Sequence, residues 1–89
     1  MPGYHVLLSK QAYKFINELN KRQARRVTKD LGDLRNYPFF DVPHDIAKIK
    51  GRDGYYRIRI GDIRIILRIF DEGKEIYIEK IDYRSRVYK

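Results

Sequence analysis

Apolar residues recur in two rhythms along this chain of 89 residues, and the change of rhythm divides it. The first third is spaced for helices. Behind a short apolar run at residues 4–8, which predicts a first strand, Ser9 is a candidate N-cap. Ala12, Phe15, Ile16 and Leu19 then follow at three- and four-residue spacing. Asn20 is a second candidate cap, and Ala24, Val27, Leu31 and Leu34 form a second stripe. Lys21, Arg22, Arg25, Arg26 and Lys29 fall largely on the opposite side of that helix. The pair reads as a helical hairpin ending at Asn36-Tyr37-Pro38, because the residue before a proline leaves the helical region. Residues 39–45 read as a loop. After it the period is two, which predicts strands at 46–50, 55–60, 63–70 and 75–82, with turns at 51–54, 61–62 and 71–74. Residues 83–89 form a tail. The expected fold is α+β, with one domain over residues 1–89. An N-terminal strand and a two-helix hairpin precede three to four antiparallel strands, with the helices packed on one sheet face.

The hairpin YYRIRIGDIRIILR carries the clearest pattern. Gly61-Asp62 is a two-residue turn candidate with glycine in its first position. Closing it sets Ile60 opposite Ile63, Arg59 opposite Arg64 and Ile58 opposite Ile65. Residues directly opposite share a face, so Ile58, Ile60, Ile63 and Ile65 line one face and Arg57, Arg59 and Arg64 the other. Like charges across a ladder are destabilising, and neither strand of the hairpin contains an acid. Counting across the next turn sets Glu79 near Ile66. An outer sheet face with solvated arginines is common and would explain the pattern blandly. A polyanion docked on the face explains it functionally.

Composition favours the functional account. Twenty Lys and Arg against twelve Asp and Glu leave a formal net charge of +8, and eleven of the cations are arginine, which grips phosphate bidentately and stacks on bases. Eight tyrosines and four phenylalanines suit a nucleic-acid partner. The absence of cysteine excludes disulfides and thiolate metal sites, and no apolar run approaches the roughly 20 residues of a membrane span. An intracellular, cytoplasmic protein is expected. His5 and His44 lack metal-ligand spacing, and no glycine-rich phosphate loop, paired-carboxylate site or serine–histidine arrangement is present. Any catalysis falls to arginine, lysine and tyrosine. In the tail, Arg84-x-Arg86-x-Tyr88 with Val87 is apolar enough to suggest a docked segment that folds back over the open sheet face. Lys48 and Lys50 alternate along a predicted edge strand, where lysines also guard against aggregation.

Three stretches, KIKG at 48–51, YRIRIGDIRIIL at 56–67 and YRSRVYK at 83–89, follow one another in order behind the two helices. In these, over nearly its full length, the chain resembles the RelE family of toxins from type II toxin–antitoxin modules. The resemblance implies a ribosome-dependent endoribonuclease that enters the decoding site and cuts messenger RNA without a cofactor. A ribose 2′-hydroxyl attacks the adjacent phosphate, leaving a cyclic phosphate and a free 5′-hydroxyl. By position, Arg57 and Arg59 match the basic pair before the turn, and Arg64 matches the arginine that holds the scissile phosphate. Arg84 matches the tail arginine that stabilises charge, and Tyr88 the tyrosine that stacks on or helps activate the nucleotide. Lys48, Lys50, Arg52, Arg68, Arg86 and the helix arginines Arg22, Arg25 and Arg26 are candidate contacts to RNA or the ribosome. The implied partners are an acidic RelB-like antitoxin and the ribosome with its message. The toxin alone is expected as a monomer and its antitoxin complex as a heterotetramer. Arginines stand where some members have lysines in the YRIR strand, and Asp82-Tyr83 where many have glycine-histidine. The alternatives are a gyrase-inhibiting toxin of the ParE type, which shares the fold, and a non-catalytic RNA- or ribosome-binding module.

Overall fold

Isoleucine-rich strands build the centre of the molecule. In a computed structural model of the chain, residues 3–36 and 45–87 are described; residues 39–44 of the predicted loop and the terminal Tyr88 and Lys89 lie outside them. The elements are β1 (His5–Leu8), α1 (Lys10–Glu18), α2 (Lys21–Asp33), a 3-10 turn (Leu34–Asn36), β2 (Asp45–Lys48), β3 (Tyr55–Ile60), β4 (Ile63–Phe70) and β5 (Glu75–Tyr83). They form one five-stranded sheet in the order β1-β5-β4-β3-β2. Strands β2 to β5 are an antiparallel meander, as expected. Strand β1 adds a fifth member, parallel to β5, with Val6 opposite Ile76 and Leu8 opposite Ile78. The sheet is therefore mixed.

The helices cover one face. Ala12, Val27, Leu31 and Leu34 meet Ile58, Ile60, Ile63, Ile65, Leu67, Ile76, Ile78 and Ile81 in one buried cluster. β-Branched isoleucine suits such a pleated, covered surface. Ser9 caps α1 by accepting from the Ala12 amide at 3.1 Å, and its hydroxyl donates to the Glu79 carbonyl at 2.8 Å. Asn20 caps α2 through the Gln23 amide at 2.9 Å.

Beyond Leu8 no strand among the described residues lies beside the outer edge of β5, and Gln11 takes that place. Its amide nitrogen donates to the Ile81 carbonyl at 2.6 Å, and its amide oxygen accepts from the Ile81 N–H at 2.9 Å. One side chain thus completes the ladder for a residue whose own side chain is fully buried. Gln11→Ala is expected to lower stability by about 1–3 kcal/mol. Gln11→Glu, which sets a carboxylate oxygen against the Ile81 carbonyl, should be no more stable than Gln11→Ala. Urea unfolding of the three proteins checks both.

The β4–β5 ladder contains a bulge. Ile66 pairs with Lys80 but Leu67 pairs with Ile78, so Glu79 is the extra residue. The bulge resets the alternation, so that Ile81 and Tyr83 join Ile76 and Ile78 on the helix side. Without it those two residues would turn to the other face.

Candidate functional site

The sheet face opposite the helices carries the site. The turn at Gly61-Asp62 closes as expected: Gly61 has φ 58°, a left-handed conformation that glycine adopts without strain. The register then sets Arg59 opposite Arg64, Ile60 opposite Ile63 and Ile58 opposite Ile65. Ile58, Ile60, Ile63 and Ile65 are all buried against the helices, leaving Arg57, Arg59 and Arg64 together on the open face.

Contacts of Arg64 to the turn offset part of the like-charge opposition. Arg64 turns its Nη1 onto the Gly61 carbonyl at 2.6 Å and the Ile63 carbonyl at 3.1 Å, so the turn itself neutralises part of the charge. Acids also occupy the flanking register positions: Asp45 is opposite Arg59 in β2 and Asp82 is opposite Arg64 in β5. The four positions form an acid–Arg–Arg–acid row across the sheet. Neither acid belongs to the hairpin. Asp45 lies in the predicted loop, and Asp82 reaches the arginine face only because the bulge shifts the register by one.

The tail returns to the same turn. The Arg84 N–H donates to the Asp62 carbonyl at 2.7 Å, and its Nε lies 3.8 Å from the Asp62 carboxylate. Arg86 Nη2 is 3.3 Å from Asp82 Oδ1, and its guanidinium lies 5.3 Å from the Tyr83 ring centroid. Val87 N–H donates to the Tyr83 carbonyl at 3.0 Å, and its side chain is only 3% exposed. It lines one cavity with Ile66, which is buried on the open face apart from the main core. Magnitudes decide what holds the tail. The Arg84–Asp62 pair is widely exposed on both sides and contributes little, about 0.2–1 kcal/mol. Burial of a valine side chain is worth roughly 1.5–3 kcal/mol. Val87 is the anchor.

The other candidate residues divide between the two faces. Arg68 is on the open face, opposite Tyr55 in β3 and Tyr77 in β5, with its guanidinium 4.8 Å from the Tyr55 ring centroid and 4.6 Å from that of Phe70. Arg52, in the β2–β3 turn, stacks on the same Tyr55 ring at 3.8 Å. Lys48 is opposite Tyr56 and so shares the helix-side face with Ile46 and Ile58, away from the arginines. Lys50 is exposed in the turn. Arg22, Arg25 and Arg26 are exposed on α2, behind the sheet, and are not brought to the arginine face. Tyr88 lies outside the described residues. Among those residues no group of three or more His, Asp or Glu side chains is placed to hold a metal ion.

Residues that sequence patterning passed over are Asp82, Lys80 and the Arg52–Tyr55 stack. Asp82 and Lys80 had a signal available. Apolar spacing in β5 changes from two (Ile76, Ile78) to three (Ile81), the mark of a bulge.

Comparison with known proteins gives this architecture, a basic open sheet face with a folded-back tail on a sheet carrying a two-helix hairpin, its class: a small toxin. The profile of the family described as ParE toxin of type II toxin-antitoxin system, parDE, matches residues 6–88. The chain is 30% identical over 84 residues to toxin RelE3 of Methanocaldococcus jannaschii, covering 93% of each, and 28% identical over 86 residues to putative toxin RelE1 of the same organism, covering 97% of this chain and 96% of the relative. It superposes on the archaeal RelE–RelB complex of Pyrococcus horikoshii with a TM-score of 0.81 at 31% identity, covering 98% of this chain and all of the matched chain. The chain belongs to the RelE/ParE family of type II toxin–antitoxin toxins.

Proposed function

We propose that this toxin is a ribosome-dependent endoribonuclease that cuts messenger RNA in the ribosomal A site. One observation carries the reading: Arg64 and the tail's Arg84 meet at the Gly61-Asp62 turn, on the face that also holds Arg57 and Arg59. Attack of a ribose 2′-hydroxyl on its neighbouring phosphate passes through a phosphorane whose extra charge needs pre-placed cations, and clustered guanidiniums provide them. Arg64 spends one nitrogen on the turn carbonyls, so Nε and Nη2 remain for a non-bridging oxygen. Arg84 stabilises the departing 5′-oxygen. Arginine hardly deprotonates and tyrosine titrates near 10. The 2′-hydroxyl therefore loses its proton to solvent and the departing 5′-oxygen gains one from solvent, while the chain supplies charge, Tyr88 stacking and the ribosome alignment of the message.

The partner in the cell is an acidic RelB-like antitoxin that covers the positive face, forming a heterotetramer with a toxin that is monomeric alone. Support for the antitoxin partner, though not for the stoichiometry, comes from the relative solved as a RelE–RelB complex and from the net charge of +8. Because the matching profile is named for ParE, gyrase inhibition is the reading to separate. Induced alone in a bacterial host, the toxin should arrest protein synthesis while plasmid supercoiling stays unchanged. A co-expressed acidic antitoxin should relieve the arrest. Loss of supercoiling with translation continuing would carry the ParE-type reading instead.

A further inference from the structure

We propose that the open face contains a nucleobase pocket beside the arginine cluster, and that it selects bases carrying an exocyclic amino group over uracil. This rests on RNA being the substrate of the face.

A cavity of about 490 Å³ opens there, lined by Ile49, Ile66 and Val87 and by Gln11, Arg52, Glu79 and Lys80. Its size lies within the range of about 300–1,000 Å³ for small-ligand sites. Three aliphatic side chains give it the apolar lining that an unstacked base needs. Ile66 is directly opposite Arg57 and two residues along β4 from Arg64, so a base held against it belongs to one of the two nucleotides that flank the phosphate the arginines would grip.

One wall is a planar cation. The Arg52 guanidinium lies 3.8 Å from the Tyr55 ring centroid, and Arg68 lies 4.8 Å from the same ring. The ring holds the Arg52 plane in place before any ligand arrives, which suits base stacking. The other wall comes from the bulge. Two successive residues, Glu79 and Lys80, line the cavity because Glu79 has no partner position in the β4–β5 ladder.

Those walls differ in what they recognise. Lys80 and Arg52 donate, and every base has acceptors for them. The Glu79 carboxylate only accepts, and its half-buried side chain makes no hydrogen bond or ion pair among the described residues. The Gln11 amide is held at both its nitrogen and its oxygen by Ile81, which fixes its orientation at the rim of the cavity. Cytosine, adenine and guanine each present an amino group to a carboxylate, as cytosine N4 does to acidic side chains elsewhere. Uracil has no amino group: its one donor on that edge, N3–H, is flanked by two carbonyl oxygens that repel a carboxylate, so it is the poorer partner.

The test measures binding of the purified toxin to fluorescent single-stranded RNA hexamers by anisotropy at low salt, without ribosomes. Hexamers of cytidine or adenosine should bind about tenfold more tightly than uridine hexamers, the ratio expected of one hydrogen bond to a charged acceptor. Glu79→Gln should bring the ratio near one. Arg52→Ala should weaken all base-bearing hexamers more than an abasic one, which loses only the charge. Arg64→Ala should weaken every hexamer alike, because it reads phosphate. Equal binding of uridine, cytidine and abasic hexamers by the parent would overturn the pocket. So would a Glu79→Gln protein that keeps full base preference and fails only to bind antitoxin, which would give the cavity to the antitoxin. Either failure leaves ribosome-dependent cleavage untouched, and a toxin that never cuts message can still pass or fail here.

Discussion

Arg64→Ala is expected to lower the single-turnover rate of cleavage on the ribosome by about 10²–10³-fold, with stability little changed. The size follows from the part assigned to the side chain. Removing one pre-placed donor from a charge developing in a transition state typically costs that much. The surrounding structure gives the loss few other routes. Arg64 is half-exposed, and its contacts to Gly61 and Ile63 are made to carbonyls of a tight turn that Gly61 closes through its own backbone. Removing the guanidinium also relieves the like-charge opposition with Arg59. Arg64→Lys separates charge from geometry: it keeps the cation and loses the planar fork, so its rate should fall between those of Ala and the parent. Cleavage rates with a saturating programmed ribosome, measured beside thermal melts, check the pair. An Arg64→Ala protein cutting at the parental rate would remove Arg64 from the chemistry.

Val87→Asp should cost nearly as much while leaving the main core intact, a loss of about 10²-fold in rate. Val87 is 3% exposed and lines the same cavity as Ile66, apart from the cluster that joins sheet and helices. A carboxylate there either loses its hydration or leaves, and leaving releases the segment from Arg84 onward. The exposed Arg84–Asp62 pair is too weak to hold the tail alone. Misplacing a positioned group by about 1 Å is enough for a 10²-fold loss. Limited proteolysis should show cleavage after Arg84 or Arg86 in Val87→Asp and protection in the parent. Val87→Ile, which keeps the apolar anchor, should retain most of the rate. A Val87→Asp protein with a protected tail and full activity would mean that burial of this residue positions nothing.

Much of this arrangement is local and therefore legible in the residues. Ile58, Ile60, Ile63 and Ile65 alternate with arginines around a turn whose glycine sits where φ is positive, so register and facing follow from counting. Ser9 and Asn20 announce both helix starts through short-range hydrogen bonds. What escaped depends on pairing between distant segments. The place of β1 beside β5, parallel and some 70 residues away in sequence, has no local marker. The bulge at Glu79 moves Asp82 opposite Arg64, and the hairpin alone holds no sign of either acid in the row. Lys48 illustrates the reverse case. Its alternation with Ile46 was available, and once Ile46 is taken as apolar lining, Lys48 must share the helix-side face. The Arg52–Tyr55 stack joins a turn to the first residue of a strand, a contact that no periodicity encodes.

On the proposed function, the arginine face cuts message only on the ribosome. Primer extension on a defined message, translated in a purified system with the toxin added, tests it most directly. Discrete 5′ ends within codons at the A site are expected, with upstream fragments ending in a cyclic phosphate and no cuts when ribosomes are omitted. Cuts of equal intensity on naked RNA, or an uncut message beside poisoned gyrase, would contradict it.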